Sequence, residues 1–300
     1  MWRVEVARKL FVIALSIGVS CSNSALSETP INRGKYLVNS ILACGNCHTP
    51  KTPDGRPISE KDLSGGLSFT TPAFNAVAAN IMPDRETGIG TWSDNDIKTA
   101  LTKGLRPPHA RLPGVPLAAV MPVSFYKAIR PDDLDAIVAY LRSVKPVRNE
   151  VAGPDYKLTP MHQTYPDAEK DYSGDVLKDP VKRGAYLATI GHCMECHSTW
   201  KRGVSDYKVG FGKGGRQFGP WLVQGVQAGW KGSTARNITA HRTKGIGAWT
   251  DAEIKRAITQ GVSRDGRKLG PPMAFAWYAN LKDDDLNALV AWLRTVPPQE

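Results

Sequence analysis

The chain has 300 residues, 41% of them apolar and 22% charged. That is an ordinary balance for folded protein, and it excludes both intrinsic disorder and a multi-spanning membrane protein. The formal charge is +11, so an anionic partner is favoured, and the length suits roughly two domains.

At the N-terminus, Arg3, Arg8 and Lys9 precede the apolar run Leu10 to Val19, and Ala25-Leu26-Ser27 offers a small-residue cleavage site. This is the pattern of a secretory signal over residues 1–27, too short to remain as a spanning helix. An uncleaved N-terminal anchor is the alternative. Export places the chain in the periplasm and disfavours nucleic acid as the anionic partner.

The first predicted domain covers 28–150. It opens with Arg33-Gly34-Lys35-Tyr36-Leu37, which leads to Cys44-Gly45-Asn46-Cys47-His48. Residues 49–79 read as irregular. A middle helix starts after Gly88-Ile89-Gly90-Thr91-Trp92, because Ser93 and Asp96 have capping-box spacing and Gly104 marks a C-terminal stop. A terminal helix follows Pro131, with Leu134, Ile137, Val138 and Leu141 forming one amphipathic face. Residues 151–178, rich in Pro, Tyr, Asp and Lys, read as an extended linker.

The second predicted domain, 179–300, repeats these features in order. Arg183-Gly184-Ala185-Tyr186-Leu187 leads to Cys193-Met194-Glu195-Cys196-His197. Gly245-Ile246-Gly247-Ala248-Trp249 precedes Thr250 and Glu253, again at capping-box spacing, and Gly261 ends that helix. Leu286, Leu289, Val290 and Leu293 repeat the apolar face of the terminal helix. Two homologous domains follow. No segment alternates convincingly as a strand, so the predicted fold class is all-α.

Each Cys-x-x-Cys-His run fits covalent haem attachment. Two thiols three positions apart on a helical turn reach the two vinyl carbons of one porphyrin, and the next residue faces its iron. Disulfides, a thioredoxin-like dithiol or one zinc held by both pairs are the structural alternatives. A thioredoxin-like site needs a βαβ setting that the sequence lacks, and a shared zinc leaves the histidines and the duplication without a role.

Haem iron needs a ligand on its other face, commonly methionine in cytochromes c. Met121 and Met273 lie just before the two terminal helices, each 13 residues ahead of the matched Leu134 and Leu286. The rivals Met82, His109 and His241 have no counterpart of the same kind in the other half. His162 in the linker and His192 beside Cys193 read as solvated or locally bonded side chains. Trp92 and Trp249 read equally well as haem-edge contacts or as core anchors of their loops.

On these motifs the chain resembles the cytochrome c subunits of periplasmic alcohol, aldehyde and gluconate dehydrogenases, over residues 33–297. The resemblance implies two tandem class I cytochrome c domains, each around one covalent haem c. It implies thioether links at Cys44, Cys47, Cys193 and Cys196, proximal ligands His48 and His197, and distal ligands Met121 and Met273. It also implies electron transfer without catalysis of its own, from a dehydrogenase to a cytochrome, quinone or oxidase. Many such subunits carry three haem motifs and a C-terminal anchor, whereas this chain has two motifs and ends at Glu300. Membrane association is therefore expected only peripherally, through a partner. A di-haem peroxidase or thiosulfate oxidoreductase is the rival reading. It would need an iron with an exchangeable or unusual ligand, and matched methionines argue against it.

Overall fold

The structure is a computed structural model, described over residues 1–2, 28–201 and 203–300. The expected signal segment, apart from Met1 and Trp2, lies outside the described residues. No helix among the described residues is long and apolar enough to cross a membrane.

Each half is framed by two crossing helices. In the first, α1 (Pro30–Asn39) packs against the terminal helix, and α2 (Cys44–His48), α3 (Asp94–Lys103) and α4 (Val123–Tyr126) lie between it and α5 (Pro131–Ser143). In the second, α6 (Pro180–Ile190), α7 (Cys193–His197), α8 (Asp251–Gln260), α9 (Phe275–Tyr278) and α10 (Asp283–Leu293) repeat the order. The capping boxes expected at Ser93/Asp96 and Thr250/Glu253 are both present, and Gly104 and Gly261 end their helices in the left-handed conformation.

Glycine in the Arg-Gly-x-Tyr-Leu motif is explained by the helix crossing. A Cβ on Gly34 would sit 1.9 Å from the Ala136 carbonyl oxygen, and one on Gly184 would sit 2.0 Å from that of Ala288. Only glycine lets the two backbones approach so closely. Leu37 and Leu187, three residues on, are buried in the core that this contact seals.

The all-α expectation is overturned. Helix accounts for 35% of the structure and strand for 10%. The strands are β1 (Ser68–Thr70), β2 (Phe74–Val77), β3 (Asp155–Tyr156), β4 (Thr199–Lys201), β5 (Val204–Asp206), β6 (Gln217–Phe218), β7 (Val223–Gln224) and β8 (Ser233–Thr234). β4 pairs with β5 and β6 with β8, while a four-stranded antiparallel sheet runs in the order β3-β2-β1-β7. None of these strands exceeds four residues, too short for alternation to register in the sequence. Their pairing is tertiary: β1 and β7 come from opposite halves, with Phe69 opposite Val223.

The segment 151–178 is no free tether. Tyr156 pairs with Phe74 in β2, Tyr165 is buried and stacks on Phe125 at 4.4 Å, and Tyr172 lies 5.2 Å from the Tyr186 ring. One apolar core runs through both halves, joining Leu37, Ile137 and Leu141 to Leu187, Leu289 and Leu293.

Candidate cofactor site

Both Cys-x-x-Cys-His runs form single helical turns, α2 and α7. Each is entered through a non-glycine residue in the left-handed region, Ala43 at φ 47° and His192 at φ 43°. Such backbone is tolerated where the surroundings dictate it, and its occurrence at the same place in both halves marks the turns as equivalent sites.

Within each turn the imidazole is oriented by one hydrogen bond. The His48 Nδ1 lies 2.7 Å from the Ala79 carbonyl oxygen, and the His197 Nδ1 lies 2.7 Å from that of Arg236. A carbonyl oxygen only accepts, so Nδ1 carries the proton in both rings and Nε2 keeps its lone pair. This is the tautomer a metal ligand requires, fixed from the outer side. Burial lowers the pKa of both histidines and so favours the neutral form.

The four cysteines are free thiols. Burial pushes their thiols up, to about 12 for Cys44, Cys193 and Cys196 and about 11 for Cys47. The direction is opposite to that of the depressed cysteine of a dithiol redox site. Among the described residues no group of three or more His, Cys, Asp or Glu side chains is placed to share a metal ion.

Cys44, Cys47, His48 and Met121 line one cavity with Cys193, Cys196, His197 and Met273. Its volume is about 1110 Å³, above the ~300–1,000 Å³ common for a single small-molecule site. Met121 and Met273 each stand one residue before the N-cap of a single-turn helix, α4 or α9. Met82, Met194, His109, His162 and His241 are not part of its lining. Met82 and Met194 are core residues; His109 lies 3.4 Å from Asp96, and the His241 Nδ1 accepts from the backbone N–H of Lys244. His192 does line the cavity, and its Nδ1 lies 3.2 Å from a Glu195 carboxylate oxygen.

Trp92 and Trp249 line the cavity as well, and they also anchor their loops. Each tryptophan carbonyl accepts from the guanidinium of the last arginine of a terminal helix, Arg142 or Arg294. The same arginines reach the Ile89 and Ile246 carbonyls and pair with Asp94 and Asp251. The matched Gly-Ile-Gly-x-Trp loop is thus clamped twice in the same way.

Sequence reasoning missed the charge of the lining. It includes Arg106, Arg111, Arg236, Lys244, Arg267 and Lys268, and no Asp or Glu among the described residues. Arg106 is the most telling. Its Nη1 donates to the Val115 and Pro116 carbonyls, it makes no ion pair among the described residues, and burial lowers its pKa. Arg106 is half-buried, and a desolvated cation without a counter-charge is costly. The apolar walls, the neutral thiols, the oriented imidazoles and this uncompensated cation all fit a covalently bound, carboxylate-bearing porphyrin.

Each Cys-x-x-Cys-His turn also contacts the segment beside the methionine of the other half. The Asn46 side chain in α2 donates to the Pro272 carbonyl beside Met273, at 2.7 Å. In mirror fashion, His192 at the start of α7 stands edge-on to Phe125 in α4, 6.3 Å between ring centres.

Comparison with known proteins agrees with this geometry. Residues 181–297 match the family cytochrome c. The whole chain resembles the cytochrome c subunits of dehydrogenases and a dihaem cytochrome c. It is 27% identical to the gluconate 2-dehydrogenase cytochrome c subunit of Pantoea cypripedii, over 95% of this chain and 64% of that one. It is 27% identical to the cytochrome c subunit of the quinone-dependent alcohol dehydrogenase of Gluconobacter oxydans, over 99% and 60%. The diheme c-type cytochrome of Cereibacter sphaeroides is 28% identical, over 86% and 83%. The chain therefore spans somewhat less than two thirds of the two dehydrogenase subunits.

Proposed function

We propose that this chain is a di-haem c-type cytochrome that moves electrons in the periplasm, taking them from a dehydrogenase and passing them to a cytochrome, quinone or oxidase. The reading divides the described chain into two cytochrome c domains, 28–150 and 179–300, joined by 151–178. The observation that carries it is the duplicated site: two Cys-x-x-Cys-His turns, each with Nδ1 tied to a backbone carbonyl, open on one cavity with two matched methionines.

In this reading Cys44 and Cys47, and Cys193 and Cys196, hold the two porphyrins. His48 and Met121 would hold one iron, and His197 and Met273 the other. The bound haem supplies a one-electron couple, raised in potential by methionine ligation. The protein contributes the rest. Nδ1 donation to Ala79 and Arg236 aims each imidazole, each methionine stands just ahead of a single-turn helix, α4 or α9, and Arg106 in the lining would supply a cation for the haem carboxylates. With a histidine and a methionine from each half to hold its iron, no position would be left for a substrate, so the role in this reading is transfer and not turnover.

The test combines haem counting with axial-ligand spectroscopy on the periplasmic protein. Two covalent haems per chain are expected, with a near-infrared methionine-to-iron band of two-site intensity. Met121→Ala and Met273→Ala should each remove about half of that band, as two equal sites require. A band of one-site intensity in the unaltered protein would overturn closed coordination and revive an enzymatic role.

A further inference from the structure

We infer that Tyr36 and Tyr186 are capping residues that act across the halves, each closing the N-terminus of the other half's terminal helix and so holding the two Cys-x-x-Cys-His turns on one cavity. The purpose assigned to this contact rests on the proposed two-haem reading; the contact itself does not.

Helices α3 and α8 carry their own capping boxes, but α5 and α10 have no side-chain cap. Their N-cap residues are Arg130 and Lys282, which cannot accept a hydrogen bond from a backbone N–H. The missing function comes from the opposite half. The Tyr186 hydroxyl accepts from the Arg130 backbone N–H at 3.4 Å and donates to Asp133 Oδ2 at 2.6 Å. The Tyr36 hydroxyl accepts from the Lys282 backbone N–H at 3.3 Å and donates to Asp285 Oδ2. Asp133 and Asp285 are the third residues of their helices, where a capping-box carboxylate would itself bond the N-cap N–H. Here a tyrosine hydroxyl from the other half stands between the two.

The arginine of the same motif works within its own half. Arg33 pairs with Asp133 through Nε at 2.7 Å and Nη2 at 3.0 Å, and Arg183 pairs with Asp285. In Arg-Gly-x-Tyr-Leu, then, arginine and glycine bind the half that carries them, and tyrosine binds the other. Asp133 and Asp285 are 6% and 1% exposed, and each buried carboxylate takes its charged partner from its own half and a tyrosine hydroxyl on Oδ2 from the other. The surface is self-complementary: either half presents one tyrosine and receives one.

A side-chain cap is worth about 1 kcal/mol, or roughly fivefold in an opening equilibrium. Amide hydrogen exchange on the full-length haem-loaded protein should therefore show a crossed pattern. In Tyr36→Phe, exchange rises roughly fivefold at the start of α10 and stays unchanged at α5; in Tyr186→Phe the reverse holds. A rise in the variant's own half, in both halves equally or in neither overturns the inference. If Tyr186→Phe fails to fold, Tyr36→Phe alone decides it. Tyr140→Phe is the control, because its hydroxyl bonds Asn39 within the first half.

Positioning is read separately. After rapid one-electron reduction, exchange between the haems should slow in the Tyr36→Phe/Tyr186→Phe double variant and not in Tyr140→Phe; an unchanged rate in the double variant would refute positioning. A count of one haem per chain would end the two-haem reading and leave the crossed pattern standing.

Discussion

Arg106 shows how one side chain carries information that its sequence context does not. Its guanidinium lines the cavity, two backbone carbonyls take part of its donor capacity, and no carboxylate of the described residues neutralises it. At the corresponding place after Gly261 the second half has Ser263, so the duplication gave no hint. A nearby cation favours the reduced iron, which carries one positive charge fewer. In the proposed two-haem reading, Arg106→Leu should therefore lower the midpoint potential of one haem and leave the other nearly unchanged, a result visible in a spectroelectrochemical titration. Equal shifts in both haems would place the guanidinium's influence elsewhere.

Asp133 sets a pH dependence at the same scale. Burial alone would raise its carboxyl, but the Arg33 hydrogen bond and charge, Tyr186 and the Arg130 charge outweigh that and hold it below the usual range. A depressed folded-state pKa contributes stability that is fully present above the unfolded value, about 3.9, and is lost as the pH falls through the folded one. Denaturation measured from neutral to acid pH should lose stability in that window. Asp133→Asn should be weaker at neutral pH, by about 1–3 kcal/mol because Arg33 loses its counter-charge, with a flatter acid limb.

At the scale of elements, the helix crossings are the most sensitive joints. Alanine normally improves a helix interior by about 0.5–1 kcal/mol over glycine. At Gly34 the added Cβ would overlap the Ala136 carbonyl, so Gly34→Ala should instead destabilise by about 1–3 kcal/mol or more, and Gly184→Ala likewise. Thermal unfolding of the two variants checks the sign. The same scale separates what was legible from what was not. Helices α3, α5, α8 and α10 were readable because caps and a 3.6-residue apolar period are local signals. The strands were not: β1, at three residues, exists because β2 and the distant β7 supply its hydrogen-bond partners.

For the whole molecule, the duplication announced two units, yet the halves are not independent. They share one core, one sheet and one cavity, and residues 151–178 bury Tyr165 between Phe125 and Tyr207. A single cooperative unfolding transition is therefore expected in calorimetry. Two resolved transitions, one for each half, would show that the interface contributes little.

The sequence alone contained the two Cys-x-x-Cys-His motifs, their duplication and the matched methionines, because each is a string of particular residue types at particular spacings. It also contained the tyrosines and aspartates of the crossed caps, inside its repeated strings, but without their pairing. Only the tertiary structure decided which aspartate each tyrosine meets, that both sites open on one cavity, and that its lining is basic. Those outcomes depend on distance in space between residues far apart in the chain, and no local pattern records such distances.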